Sequence, residues 1–284
     1  MTSYPYTPPV DQLLNLGDAR DGQEWPDYLG LGLGLEHVPD LIRMATDPAL
    51  NDAPSDSPQV WAPAHAWRVL AQLHAAEAAE PLAQLFRRIH ENHDDFVGED
   101  LPQAFGVLGP DAILALTAYL ANSTNDLSAR GAAAHSLKEI GTRHPQTREA
   151  CVAALAEQLG CHTDQDSALN GFLIGYLLDL KGVEALDVMR RAFEVGVVDE
   201  AIAGDWEDVQ IELGLKAQRD RPRRPTPMQL QLRETFAQLE AAKTRPQSLP
   251  TSRDEFEVRA GRAVRESEPN SASKPGRRRH RKRK

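Results

Sequence analysis

Apolar residues recur along the chain at helical spacing, in stripes that stop at Gly, Pro or short polar clusters and then restart. Four of the stripes are alike, with apolar or small residues at i, i+4 and i+7: Ala66, Leu70 and Leu73; Leu101, Phe105 and Leu108; Ala133, Leu137 and Ile140; Leu173, Leu177 and Leu180. Positions so spaced share one face of a 3.6-residue period and predict an amphipathic helix. After each comes a turn and a second apolar set: Leu82 and Leu85–Phe86; Leu116 and Leu120; Val152, Leu155 and Leu159; Leu186, Met189 and Phe193. Pro81 and Pro110 stand at or near the starts of second helices, where a missing N–H costs no hydrogen bond. Gly109 and Gly141 stand where first helices are expected to end. No alternating pattern of useful length predicts a strand.

From Leu70 to Phe105, Leu137 and Leu177 the spacings are 35, 32 and 40 residues. Such a period accommodates two helices of about three turns and two short loops. An earlier unit is expected in Tyr28–Leu33 followed by EHVPDLIRM, with Pro39 placed like Pro81. A hairpin of this kind cannot bury its apolar face alone, so stacked neighbours must supply the core. The predicted fold is therefore all-α, an α-solenoid of stacked antiparallel helix pairs. Residues 1–27 form its N-terminal cap or arm and residues 28–215 the repeats. The stretch GDWEDVQIELGL reads as the last helix, with Trp206, Val209 and Leu213 facing inward and Asp205, Glu207 and Asp208 near its positive end. Trp67 reads as core, and Trp61, in PQVWAPAHAW, as the better candidate for an exposed aromatic anchor.

The segments WRVLAQLHAAEAAEPLAQLF and FGVLGPDAILALTAYL resemble HEAT repeats of the short, Ala-rich, phycobilisome-lyase-like kind, and the resemblance spans residues 28–215. It implies a fold rather than an activity. LNGFLIGYLLDLKGVEAL followed by DEAIAGDWEDVQIELGL is also similar to bacterial HEAT-containing proteins of uncharacterised function. Some of those end in a Cys-rich zinc motif; this chain ends in SASKPGRRRHRKRK, without Cys, so that zinc site is not carried over.

The residues point away from catalysis. Two cysteines cannot make a disulfide framework or a four-thiolate zinc site. Cys151 and Cys161 read as buried reduced thiols. A di-iron site of the kind some helical repeats hold needs about half a dozen converging ligands, whereas His90-Glu91 is the one His-Glu pair and Glu36-His37 is reversed. His90, His93, Asp94, Asp95, Glu99 and Asp100 crowd one segment, but not in the order of an EF-hand, and read as a solvated acidic loop. No catalytic constellation, metal or cofactor is expected. The first residues, MTSYPYTPPV, lack the charged and apolar regions of a secretory signal, and no apolar run of about 18 residues exists. These features predict a cytoplasmic monomer without membrane contact.

Charge changes the picture more than composition does. The chain has 32 Lys+Arg against 42 Asp+Glu, a formal net charge of -10. Residues 1–215 hold 12 Lys+Arg and 34 Asp+Glu, a charge of -22, and residues 216–284 hold 20 and 8, a charge of +12. A repeat body of that sign repels nucleic acid, whose binding rests on phosphate neutralisation. It suits a protein partner with a basic surface. Second helices and their adjoining loops are expected to line the concave face, which makes Glu77, Glu80, Glu157, Glu184 and Asp187 candidates for recognition, together with Trp61, Asp205, Glu207 and Asp208. A protein-binding scaffold is the leading expectation.

Residues 216–273 read as a Pro/Arg-rich linker with one or two short helices. One is opened by Thr226-Pro227 ahead of Met228, Leu232, Phe236 and Leu239, the other by Ser252 and Glu255 ahead of Phe256, Ala260 and Val264. Residues 274–284 read as a disordered basic tail containing Lys274, Arg277, Arg278, Arg279, Arg281, Lys282, Arg283 and Lys284. Three uses stay open for it: contact with nucleic acid or a ribosome, which is the alternative function for the chain; return onto the acidic body; or solubilisation alone.

Overall fold

The computed structural model describes residues 5–21, 24–220, 222 and 227–244. Its residues fall into two compact units, Met1–Pro222 and Arg223–Lys284. The first contains helices α1 (Val38–Ala45), α2 (Pro48–Asn51), α3 (Ala62–Gln72), α4 (Ala79–Ala83), α5 (Arg87–Glu91), α6 (Asp95–Leu108), α7 (Ile113–Ala121), α8 (Leu127–Arg143), α9 (Arg148–Leu159), α10 (Ser167–Asp179), α11 (Leu186–Val195), α12 (Glu200–Ala203) and α13 (Trp206–Glu212). Helix α3 packs on α6, α6 on α8, α8 on α10 and α10 on α12, forming one layer. Helices α4, α7, α9 and α11 form the second layer, each on the next, and α7, α8, α9 and α10 join the layers. This is an all-α solenoid, without strands among the described residues.

Local chemistry explains where the helices begin. Asp94, Asp126, Asp166, Asp199 and Asp205 are the N-cap residues of α6, α8, α10, α12 and α13. Each carboxylate accepts a backbone N–H inside the first turn, at 3.3, 2.8, 2.7, 2.9 and 3.0 Å respectively. Such a cap is worth about 1 kcal/mol. Second helices start differently. A three-residue 3-10 turn leads directly into each: Leu35–His37 into α1, Ala76–Ala78 into α4, Pro110–Ala112 into α7, Pro145–Thr147 into α9 and Val183–Ala185 into α11. This turn supplies a sharper register for the repeat than the apolar stripes do.

The carbonyls left open at the ends of first helices are met by side chains from adjacent repeats. His74 Nδ1 donates to the Leu108 carbonyl at 3.1 Å, and His144 Nε2 to that of Gly106 at 3.0 Å. Arg148 reaches the carbonyls of Leu180 and Lys181 at 2.6 and 2.7 Å. Cationic or donor side chains suit the negative end of a helix. Gly109 ends α6 with φ 96°, as its type suggests. Gly141, in contrast, lies inside α8, where a Cβ would stand 3.0 Å from Leu180 Cδ2 and 3.2 Å from Cys151 Cβ. Close packing of three helices, not termination, requires a glycine there.

The expected first helix at Tyr28–Leu33 is replaced by a single 3-10 turn, Leu29–Leu31. Gly30, Gly32 and Gly34 alternate with leucines through this stretch, and Gly32 adopts φ 85°. Glycine's conformational freedom costs a helix interior about 1 kcal/mol per residue. Tyr28 and Leu33 are nevertheless buried.

The open end of the stack is closed by residues 5–21 and 24–28, held to α3 by a buried polar cluster. His65 Nε2 donates to the Gly17 carbonyl at 3.0 Å, which leaves Nδ1 to accept the Tyr28 hydroxyl at 2.7 Å. Arg68 donates to the Ala19 carbonyl at 2.8 Å and forms a two-pronged pair with Asp100, at 3.0 and 2.5 Å. The Trp67 indole N–H also donates to Asp100, at 2.7 Å. Trp25 and Phe96 face the guanidinium, 5.1 and 5.8 Å from their ring centres. Asp100 is thus not a loop carboxylate but the buried partner joining α6 to α3. At the other end Val209 is buried, and Trp206 and Leu213 pack on the core, as their spacing predicts.

The second unit shows α14 (Pro227–Thr244) where Thr226-Pro227 predicts a helix, with Leu230, Leu232, Phe236 and Leu239 exposed. The helix expected after Ser252 and the tail 274–284 lie outside the described residues.

Two outcomes follow from the buried cluster. Asp100→Ala strands the Arg68 guanidinium and is expected to cost about 3–5 kcal/mol, while Arg68→Met with Asp100→Leu regains only part of it, because the Trp67 indole N–H and the Ala19 carbonyl lose their partners; denaturant midpoints measure both. Burial holds His65 below its ordinary pKa of 6.5, because its charged form is desolvated. The unfolded chain therefore binds this proton first as pH falls. Its contribution is complete above about pH 6.5 and is lost below it. His65→Gln, which preserves one donor and one acceptor, is expected to reduce the drop in Tm between pH 7.5 and 5.5.

Candidate functional site

The second-helix layer carries a groove. It lies between α4 and α7 and encloses about 520 Å³. Ala76, Ala79 and Ala83 make one wall, and Leu114, Ala115 and Ala118 the other, with Tyr119 alongside. Glu77, Glu80 and Asp111 contribute carboxylates to the same groove, and Asn122 and Asn125 stand at its end. The three acids make no ion pair among the described residues.

The apolar wall comes from an irregularity in the repeat. Counted from the 3-10 turn, the second residue of the second helices is Pro39 in α1, Glu80 in α4, Leu114 in α7, Glu149 in α9 and Asp187 in α11. A carboxylate there suits the positive end of the helix. Helix α7, ILALTAYLA, has Leu instead and no charged residue along its length. Leu114 is 82% exposed, the most exposed of the large hydrophobic residues described. Leu116, Tyr119 and Leu120 occupy the buried side of the same helix.

Of the residues expected to recognise a partner, the groove brings together only Glu77 and Glu80. Glu157 is exposed on α9 and unpaired among the described residues. Glu184 forms an ion pair with Arg148 at 2.7 Å, which holds its carboxyl below the ordinary range. Asp187 pairs with Arg190 at 3.5 Å. Asp205 and Asp208 bond to Arg219, and Glu207 to Lys216, so this acidic turn is engaged by the chain's own cations; hydrogen bonds from those cations lower Asp205 and Glu207. Trp61 is half-buried rather than free, edge-on to Phe96 at 5.3 Å with the Arg20 guanidinium 4.6 Å above it. It lines a separate hollow of about 270 Å³ with Trp67 and Asp94. Lys274, Arg277–Arg279, Arg281, Lys282, Arg283 and Lys284 lie outside the described residues. Asp111 and Leu114 were not singled out by the stripe pattern; the repeat register of the 3-10 turns would have exposed both.

Elsewhere the perturbed groups are structural. Glu139, in α8, is held down at about 2, first by a hydrogen bond from His135 and then by Lys138. Burial pushes the Cys151 thiol up to about 11, whereas Cys161 is exposed, contrary to the pairing of both thiols with the core. Among the described residues, no three His, Cys, Asp or Glu side chains are grouped to hold a metal ion. No single described helix is long and apolar enough to cross a membrane. No protein-family model, curated protein or solved structure matches the chain.

Leu114→Glu restores the acid that the repeat carries at this position and removes no buried contact. It is expected to leave Tm within about 2 °C of the wild type, as surface changes do. A thermal melt followed by circular dichroism checks this.

Proposed function

We propose that the chain is a HEAT-like repeat scaffold that binds a protein with a basic surface through its second helices, acting as a cytoplasmic monomer. One observation carries the reading: Glu77, Glu80 and Asp111 line a groove walled by alanines and Leu114 and are left unpaired among the described residues, while Glu184, Asp187, Asp205, Glu207 and Asp208 are engaged by cations of the same chain. Unpaired carboxylates around a surface that water wets poorly favour a cationic, partly apolar ligand. Their field raises its rate of encounter and rejects acidic competitors. The acidic body, at -22 over residues 1–215, extends the same preference along the stack.

Capture from native lysate tests this. Full-length protein and a chain ending at Ser273 are expected to retain the same proteins at about 50 mM salt and lose them at about 500 mM, since screening shortens the reach of surface charge. Retention that survives high salt, or that disappears with residues 274–284 or on nuclease treatment, overturns the scaffold reading.

A further inference from the structure

We infer that the α4–α7 groove seats an amphipathic α-helix of the partner, whose apolar ridge covers Leu114 and whose flanking Lys or Arg side chains face Glu77, Glu80 and Asp111. This inference rests on the scaffold reading and narrows it to one site and one kind of ligand.

Three features select a helix. The walls are alanines, and small side chains let helix axes approach to about 8 Å. Helix α7 has nine residues, which gives a wall of about 13 Å, the length of two to three turns. An extended peptide would place unpaired backbone N–H and C=O groups against those alanines, whereas a helix satisfies its own.

Leu114 selects an apolar ridge. It stands where α4, α9 and α11 carry Glu80, Glu149 and Asp187, so solvation alone and the helix dipole both favour an acid there. An 82% exposed leucine at this point leaves apolar surface in water that a bound ridge would cover. The carboxylates then select the flanks. Their charge is uncompensated among the described residues and lies on both walls, with Glu77 and Glu80 at the α4 side and Asp111 at the α7 side. A helix with cations on both sides of an apolar stripe matches that distribution, whereas an acidic or uniformly polar helix does not.

The probe is a fluorescein-labelled 14-residue synthetic peptide with Leu along one helical stripe and Lys and Arg beside it, compared with a scrambled peptide of the same composition that has no stripe. Fluorescence anisotropy with the full-length protein is expected to show binding of the striped peptide, at least about tenfold tighter than the scrambled one. Leu114→Glu separates seating from simple attraction, because it adds a negative charge. Attraction alone would make the basic peptide bind this variant more tightly; seating in the groove makes it bind about tenfold more weakly. Glu77→Gln with Glu80→Gln is expected to weaken binding and to flatten its salt dependence.

Absence of binding to the striped peptide, equal binding of the scrambled peptide, or unchanged or tighter binding by Leu114→Glu each overturns the groove assignment. The two readings fail separately: if Leu114→Glu captures the same salt-sensitive proteins from lysate as wild type, the scaffold stands and the groove does not.

Discussion

No helix pair in this chain can bury its own apolar face, and that constraint shapes everything built on it. Leu101 and Phe105 of α6 are fully buried because α3 lies on one side and α8 on the other. Each repeat is therefore stable only between neighbours, and the two ends need closures that are not repeats. At the first end His65 and Arg68 bind the carbonyls of Gly17 and Ala19, and at the last Trp206 and Val209 pack against the core. Stacking also brings helix ends within reach of adjacent units. His74, His144 and Arg148 can then satisfy carbonyls that a lone hairpin would leave to water.

The acidic body has a structural account before it has a functional one. Six aspartates cap helices, Asp47 at α2 among them, Asp100 and Glu139 are nearly buried in polar clusters, and Glu184, Asp205, Glu207 and Asp208 meet cations of the same chain. Net charge thus overstates the surface available for recognition. What remains is more informative, because Glu77, Glu80 and Asp111 are gathered round the one second helix that lacks charge. The candidate site is defined by a local exception to the repeat rather than by the repeat's average.

Helical period alone decides burial along most of the stripes. Leu70, Leu101, Phe105, Leu137, Leu155, Leu173 and Leu177 are all in the core. Where backbone preference opposes the pattern, as in the glycine-spaced leucines of 28–34, no α-helix forms, and Leu33 is buried while Leu29 is exposed. Asp100 reads locally as one of several solvated acids, because its partner Arg68 lies 32 residues away and shares no local motif with it. Half of the groove was legible, in Glu77 and Glu80. Leu114 was passed over because a leucine at helical spacing reads as core until its neighbours show which way it faces.

By itself, then, the sequence determined the class of fold: period, caps and turns are local properties, and each helix signals its own amphipathicity without knowing its neighbours. Tertiary structure alone decided which charges are spent and which are free, because pairing depends on distance between residues far apart in the chain. The same distances sealed Asp100 against Arg68, engaged Asp205 with Arg219, and left Glu80 on one wall and Asp111 and Leu114 on the other of an open groove.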